Sequence, residues 1–164
     1  MSLRILLIDA ETPLGEHIAL HLREQGWRVD QASNQLDVID RLEREAYDVA
    51  VISGPSLHNQ CVEIVKILKQ IPLHPEIILL IEAEQLSLAI ATQQYGIFDD
   101  ILVPCEMERL IKLVKHATRK HKRKLLKKWC QDQFAAAGMA ELGDQESARD
   151  ILKHNATRKE NKNE

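Results

Sequence analysis

The sequence predicts a doubly wound α/β domain built on five parallel strands. Three observations carry that prediction: five short apolar runs, a helix-period pattern after each, and connections of only a few residues. Parallel strands need such crossovers, and the crossovers are right-handed.

RILLI (Arg4 to Ile8) is a continuous apolar run, as a strand covered on both faces requires. Thr12-Pro13 reads as an N-cap followed by proline at the first helical position. The helix it opens carries Leu14, Ile18 and Leu22 on one stripe and stops at Gly26. WRVDQA (Trp27 to Ala32) alternates with polar residues and suits a less buried second strand. A helix over about 34–45 places Val38, Ile39 and Leu42 at core spacing, and DVAVIS (Asp48 to Ser53) is the third strand. Ser56 can cap the next helix, whose Cys61, Ile64, Val65 and Leu68 follow the i, i+3, i+4, i+7 rhythm. EIILLI (Glu76 to Ile81) is the fourth strand and is followed by a helix near 84–94. DILV (Asp100 to Val103) is the fifth, stopped by Pro104, and a last helix begins near Glu106 with Leu110, Ile111 and Val114. The expected sheet is flavodoxin-like, order 2-1-3-4-5, with a C-terminal helical extension. On that order the ligand-binding switch point falls between strands one and three. Asp9, Ala10, Glu11 and the turn 53–56 line it.

Of the 164 residues, 45% are hydrophobic and 29% charged, which suits one domain plus an appendage. The longest apolar run, Ile77 to Ile81, is far short of a membrane span, so no membrane partner is expected. The start, MSLRILLID, enters a strand pattern without a signal-peptide layout, which makes the cytoplasm the default location. Cys61, Cys105 and Cys130 are odd in number and widely spaced, giving neither a disulfide framework nor metal-ligand spacing. Net charge is −3, distributed as −9 over residues 1–105, +8 over 106–128 and −2 over 129–164. So sharp a reversal marks a change of role along the chain.

Three stretches, ILLIDAE after the first strand, YDVAVIS for the third and YGIFDDILVP for the fifth, together with the spacing of all five units, resemble a response-regulator receiver domain of bacterial two-component signalling. The resemblance covers residues 4–117. It implies a site that takes a phosphoryl group onto an aspartate with the help of Mg²⁺, within a phosphorelay. At the implied positions, Asp9 keeps the first acidic residue, Ala10 replaces the second, and Glu11 follows. Ser53 stands at the acceptor position. The hydroxyl position falls on Leu80 or Ile81, the lysine position on Val103 and the aromatic position on Asp100. Pro104 matches a proline whose peptide bond is usually cis in that family.

The chemistry of those replacements argues against phosphotransfer. A serine hydroxyl attacks only when a base or metal activates it. Mg²⁺ wants a cluster of oxygens, and the transferred group needs its charge neutralised. Ala10, Ser53 and Val103 remove two carboxylates and the cation. The chain therefore reads as a degenerate receiver without the phosphoacceptor, not an enzyme, and no cofactor or metal is expected. Ser53 is expected to satisfy a local backbone group, Asp9 to cap its loop and Glu11 to be solvated. His17 and His21 share a helix face but lack a third ligand. Cys61 and Cys105 read as small apolar residues, and Asp99-Asp100 as a solvated loop on a face that receivers use for docking.

The domain is assigned to residues 1–117, a basic helical extension with a short second helix to 118–155, and a disordered tail to 156–164. Thr118 to Lys124 lacks apolar residues and is not expected to pack on the sheet. Leu125, Leu126 and Trp129 form an apolar patch with basic flanks, which suits docking onto another signalling protein or a second copy. The alternative partner is nucleic acid, bound through the basic helix at 109–128.

Overall fold

The computed structural model describes residues 2–137. The chain divides into two compact units, 1–125 and 126–164, and of the second only 126–137 are described. The expected short helix near 145–154 and the tail at 156–164 lie outside the described residues.

The elements run β1 (Arg4–Ile8), α1 (Pro13–Glu24), β2 (Arg28–Ala32), α2 (Gln35–Arg44), β3 (Val49–Ser53), α3 (Gly54–Leu57), α4 (Gln60–Gln70) and β4 (Glu76–Ile81). A 3₁₀ turn at Ala83–Gln85 then leads into α5 (Leu86–Gln93), β5 (Asp99–Leu102) and α6 (Met107–Ala136). The five strands form one parallel sheet in the order β2-β1-β3-β4-β5. This is the doubly wound, flavodoxin-like topology read from the sequence.

Every residue of β3 and β4 is buried, and so is β1 after its first residue. Leu6, Ile8, Ala50, Ile52 and Leu79 pack on one face with Ile64, Val65 and Leu68 of α4. Leu7, Val51, Ile78 and Leu80 pack on the other with Ile18 and Leu22 of α1 and Leu110 and Val114 of α6. The outer strand β2 keeps its polar alternation. Thr12 caps α1 by accepting from the Gly15 N–H at 3.2 Å, with Pro13 in the first turn. Gly26 ends that connection at φ 79°, a conformation that glycine adopts without steric cost.

Three expectations need correction. Ser56 does not cap the helix containing Cys61: it lies inside α3, and α4 starts after Asn59. Ile39 is exposed, because Val38 alone of its pair turns inward on α2. Residues 118–124 do pack on the domain, through polar groups. Thr118 is buried and donates to the Val114 carbonyl at 2.8 Å. His121 is buried with Nε2 3.9 Å from Asp48 Oδ1. Lys120 and Lys124 reach Glu76 at 3.1 and 2.8 Å.

Glu76, only 1% exposed, starts the central strand β4. Burial pushes its carboxyl up. The bonds and charges of Lys124 and Lys120 outweigh that and hold it below the usual carboxylate value. The helix thus follows the sheet further than an apolar pattern predicts, because a buried carboxylate needs its cations.

Gly54 follows β3 immediately, and a Cβ there would stand 2.3 Å from the Leu80 carbonyl oxygen. That oxygen belongs to backbone and cannot swing aside. Gly54→Ala is therefore expected to lower stability by about 1–3 kcal/mol. Urea unfolding followed by circular dichroism measures the loss, and an unchanged midpoint would refute the close-packed turn.

Candidate functional site

The switch point is built from the β1–α1 loop and the β3–α3 turn. Asp9 is buried and turned into the start of α1. Its Oδ1 accepts from the Thr12 N–H at 2.6 Å, and the Thr12 hydroxyl lies 2.9 and 2.8 Å from its two oxygens. Gly15 gives this carboxylate its room, since a Cβ there would lie 2.3 Å from Asp9 Oδ1. Glu11 is exposed and sits at φ 57°, in the left-handed region. The Ala10 N–H donates to Ser56 Oγ at 3.1 Å, which ties the two loops together.

Ser53 ends β3 beside Leu80 in the register of the sheet. It is 1% exposed, and its hydroxyl has no hydrogen-bond partner among the described residues. The expected bond to a local backbone group is not formed. The backbone around it is engaged instead: the Ser53 carbonyl accepts from Ser56 Oγ at 3.4 Å and from the Cys61 thiol at 4.0 Å. Burial pushes the Cys61 thiol up to about 12 and also raises Cys105, so neither is poised as a thiolate nucleophile.

Leu80 and Ile81 are both buried and point to opposite faces of the sheet. In the register of the sheet Leu80 is the lateral neighbour of Ser53. Val103, 7% exposed, packs on the same face as Leu80, and the Val103–Pro104 bond is cis. Beside them lies an apolar crevice of about 250 Å³ between α1 and the β5–α6 connection, with Leu80 and Val103 among its walls and His17 as its polar side chain. The His17 ring meets His21 edge-on at 4.3 Å, and His21 Nδ1 lies 2.9 Å from Glu24.

Asp100 lies within β5 and accepts from Gln93 at 3.1 Å, while Asp99 accepts from the Asp100 N–H at 2.9 Å. Both belong to the strand, not to a loop. Gln85 carries no signal in the sequence, yet it closes the far side of the turn. Its amide donates to the Gly54 carbonyl at 2.9 Å and accepts from the Glu82 N–H at 3.1 Å.

This donor set does not fit a hard divalent cation. Asp9 is engaged by Thr12, Glu11 stands in solvent, and the neighbouring positions are Ala10, Ser53 and Leu80. Among the described residues, no three His, Cys, Asp or Glu side chains converge as a metal site. No described helix is long and apolar enough to cross a membrane.

No protein-family model and no curated protein matches the sequence. Solved structures do. A response regulator receiver domain protein from Clostridium thermocellum is 25% identical, with 76% of this chain and 98% of that one covered and a TM-score of 0.66. A CheY-like response regulator receiver domain protein from Methanospirillum hungatei is 18% identical over 76% and 99% of the two chains, TM-score 0.67. A chain described as adenylate cyclase from Rhodopirellula baltica is 18% identical over 78% and 99%, TM-score 0.67.

The class is thus a receiver-type, CheY-like fold. Several other similar solved structures are likewise named as receiver domains or response regulators. In this chain Ser53, Leu80 and Val103, at or next to the ends of β3, β4 and β5, are all buried.

A buried hydroxyl without a partner costs about 1–3 kcal/mol of desolvation. Ser53→Ala is accordingly expected to leave stability unchanged or raise it by up to about that amount. Thermal and urea unfolding of the two proteins provide the comparison. A clear loss on removing the hydroxyl would mean that it is bonded after all.

Proposed function

We propose that this chain is a pseudo-receiver: a signalling module of the two-component type that works by binding other proteins and not by taking a phosphoryl group on aspartate. The observation that carries this reading is the pairing of an intact receiver-type fold with a switch point whose strand ends are filled by Ser53, Leu80 and Val103. Phosphoryl transfer depends on charge positioned to neutralise the transferred group, and these positions supply none.

Surface chemistry supports the binding role. Leu86 and Ile90 lie four apart on α5 and are exposed, as is Leu102 on the edge strand β5. Gln93 bonds α5 to that strand through Asp100. On the helical extension, Leu126 and Trp129 are also exposed, and Leu125 is half-buried. Apolar side chains grouped in this way are suited to covering by a partner. The partner is another signalling protein or a second copy.

Incubation with Mg²⁺ and a small acyl-phosphate donor is expected to give no phosphate-sized mass increase. A stoichiometric adduct that disappears in mild base would overturn the reading and restore a working phosphorelay receiver.

A second reading, nucleic-acid binding, rests on a separate observation. Lys115, Arg119, Lys122 and Arg123 of α6 are exposed, and among the described residues none is in an ion pair. Such cations supply phosphate affinity without sequence preference, and that affinity falls steeply with salt. In filter binding at two salt concentrations, strong salt-steep retention of duplex DNA favours this reading. No retention at low salt removes it.

A further inference from the structure

The ionisable side chains of the sheet gather at the end opposite the switch point. Glu76 and Asp48 stand where β4 and β3 begin, and both face α6. Glu76 is held by Lys120 and Lys124. Asp48 receives the Arg4 N–H at 2.8 Å and has His121 Nε2 at 3.9 Å. The other imidazole nitrogen of His121, Nδ1, is buried and has no hydrogen-bond partner among the described residues. Around this group, Lys69 of α4 donates to the Gly96 carbonyl at 2.6 Å. His74 of the α4–β4 connection lies 3.4 Å from Lys124. Arg4 of β1 is paired with Glu45.

We infer that residues 118–124 of α6 form a latch on the sheet, closed at neutral pH and released by acid through His121 and Glu76. No apolar side chain in this segment holds it down. Its buried residues are Thr118 and His121, and its ties are the two lysine pairs, the approach of His121 to Asp48 and the Lys120 ammonium 5.4 Å over the Phe98 ring.

Two protonations act in the same direction. A proton on His121 places a cation in a buried site beside Lys124, with Asp48 as its near counter-charge and Glu76 as a second. A proton on Glu76 removes the anion that both lysines are bound to. Desolvation holds His121 below the ordinary imidazole value, with Asp48 and Glu76 opposing and Lys124 adding to the shift. The sign follows: the released helix takes up the proton more readily than the docked one. Docking is complete above the free imidazole value of about 6.5 and weakens as pH falls through the docked value. Glu76, also depressed, contributes above the free carboxylate value and is lost at lower pH still.

Hydrogen exchange of the full chain, read by mass spectrometry between pH 7.5 and 5.5 and corrected for intrinsic rates, tests the latch. Peptides covering 115–125 are expected to lose protection on acidification, by up to about tenfold per pH unit, the slope set by one coupled proton. Peptides from β1 and β3 should hold theirs. His121→Gln is expected to flatten the response of 115–125, and His116→Gln, an exposed neighbour on the same helix, to leave it intact. The proposal is overturned if wild-type protection of 115–125 does not change with pH. It is equally overturned if the strands lose protection together with the helix, or if H121Q responds as wild type does. Should H121Q not fold, NMR titration of the wild-type His121 ring replaces it. Protonation that coincides with loss of helix protection supports the latch, and protonation with the helix still protected removes it.

Discussion

Burial of the central strands on both faces is the constraint on which the rest of this structure depends. β1, β3 and β4 have no solvent side, so α1 and α6 must cover one face and α4 the other. Any polar group on these strands is then removed from water and needs a partner within the fold. Two positions meet that demand differently. Ser53 leaves a neutral hydroxyl unbonded, which is a modest cost. Glu76 is charged and cannot be left alone, so it draws two lysines to itself.

The same constraint explains why Ser53, Leu80 and Val103 suit one another at the switch point. A buried lysine beside Ser53 and Leu80 would face no carboxylate, because Asp9 is turned towards Thr12. An unpaired buried cation is among the costliest features a core can hold. Val103 on the same face avoids it, and Leu80 fills the adjoining position with apolar volume. The loop connections still bind the two turns to each other through Ala10 and Ser56, and the far side is closed by Gln85. The geometry of the two turns is held by bonds to backbone groups.

The fold was legible because two-sided burial writes itself as unbroken apolar runs. RILLI, VAVIS and EIILLI could be read directly, and the sheet order followed from their connections. Legibility fell where polar groups do the packing. Residues 118–124 show no apolar period, so nothing local announces that Thr118 and His121 are buried. The available signal was non-local: one glutamate opening an otherwise apolar strand, and a lysine-rich helix with charge to meet it. Ser56 misled because serine before a helix pattern usually caps it, whereas Gly54-Pro55 started a separate turn here. Gln85 was invisible because glutamine on a polar stretch resembles any solvated residue.

The charged groups that meet across the sheet and α6 lie at the end opposite the switch point. Open parallel sheets present ligands at the carboxyl ends of their strands, where loops and helix starts converge. Here that end holds Asp9 bound to its own loop and three buried side chains that carry no charge. The amino end of the sheet holds Asp48, Glu76, His121, Lys120 and Lys124 in mutual contact. A fold that needs no chemistry at its switch point can fill it with apolar volume and keep its architecture. In α6 the first turns are held by the apolar side chains Leu110 and Val114, whereas residues 118–124 are held by groups whose charge can change.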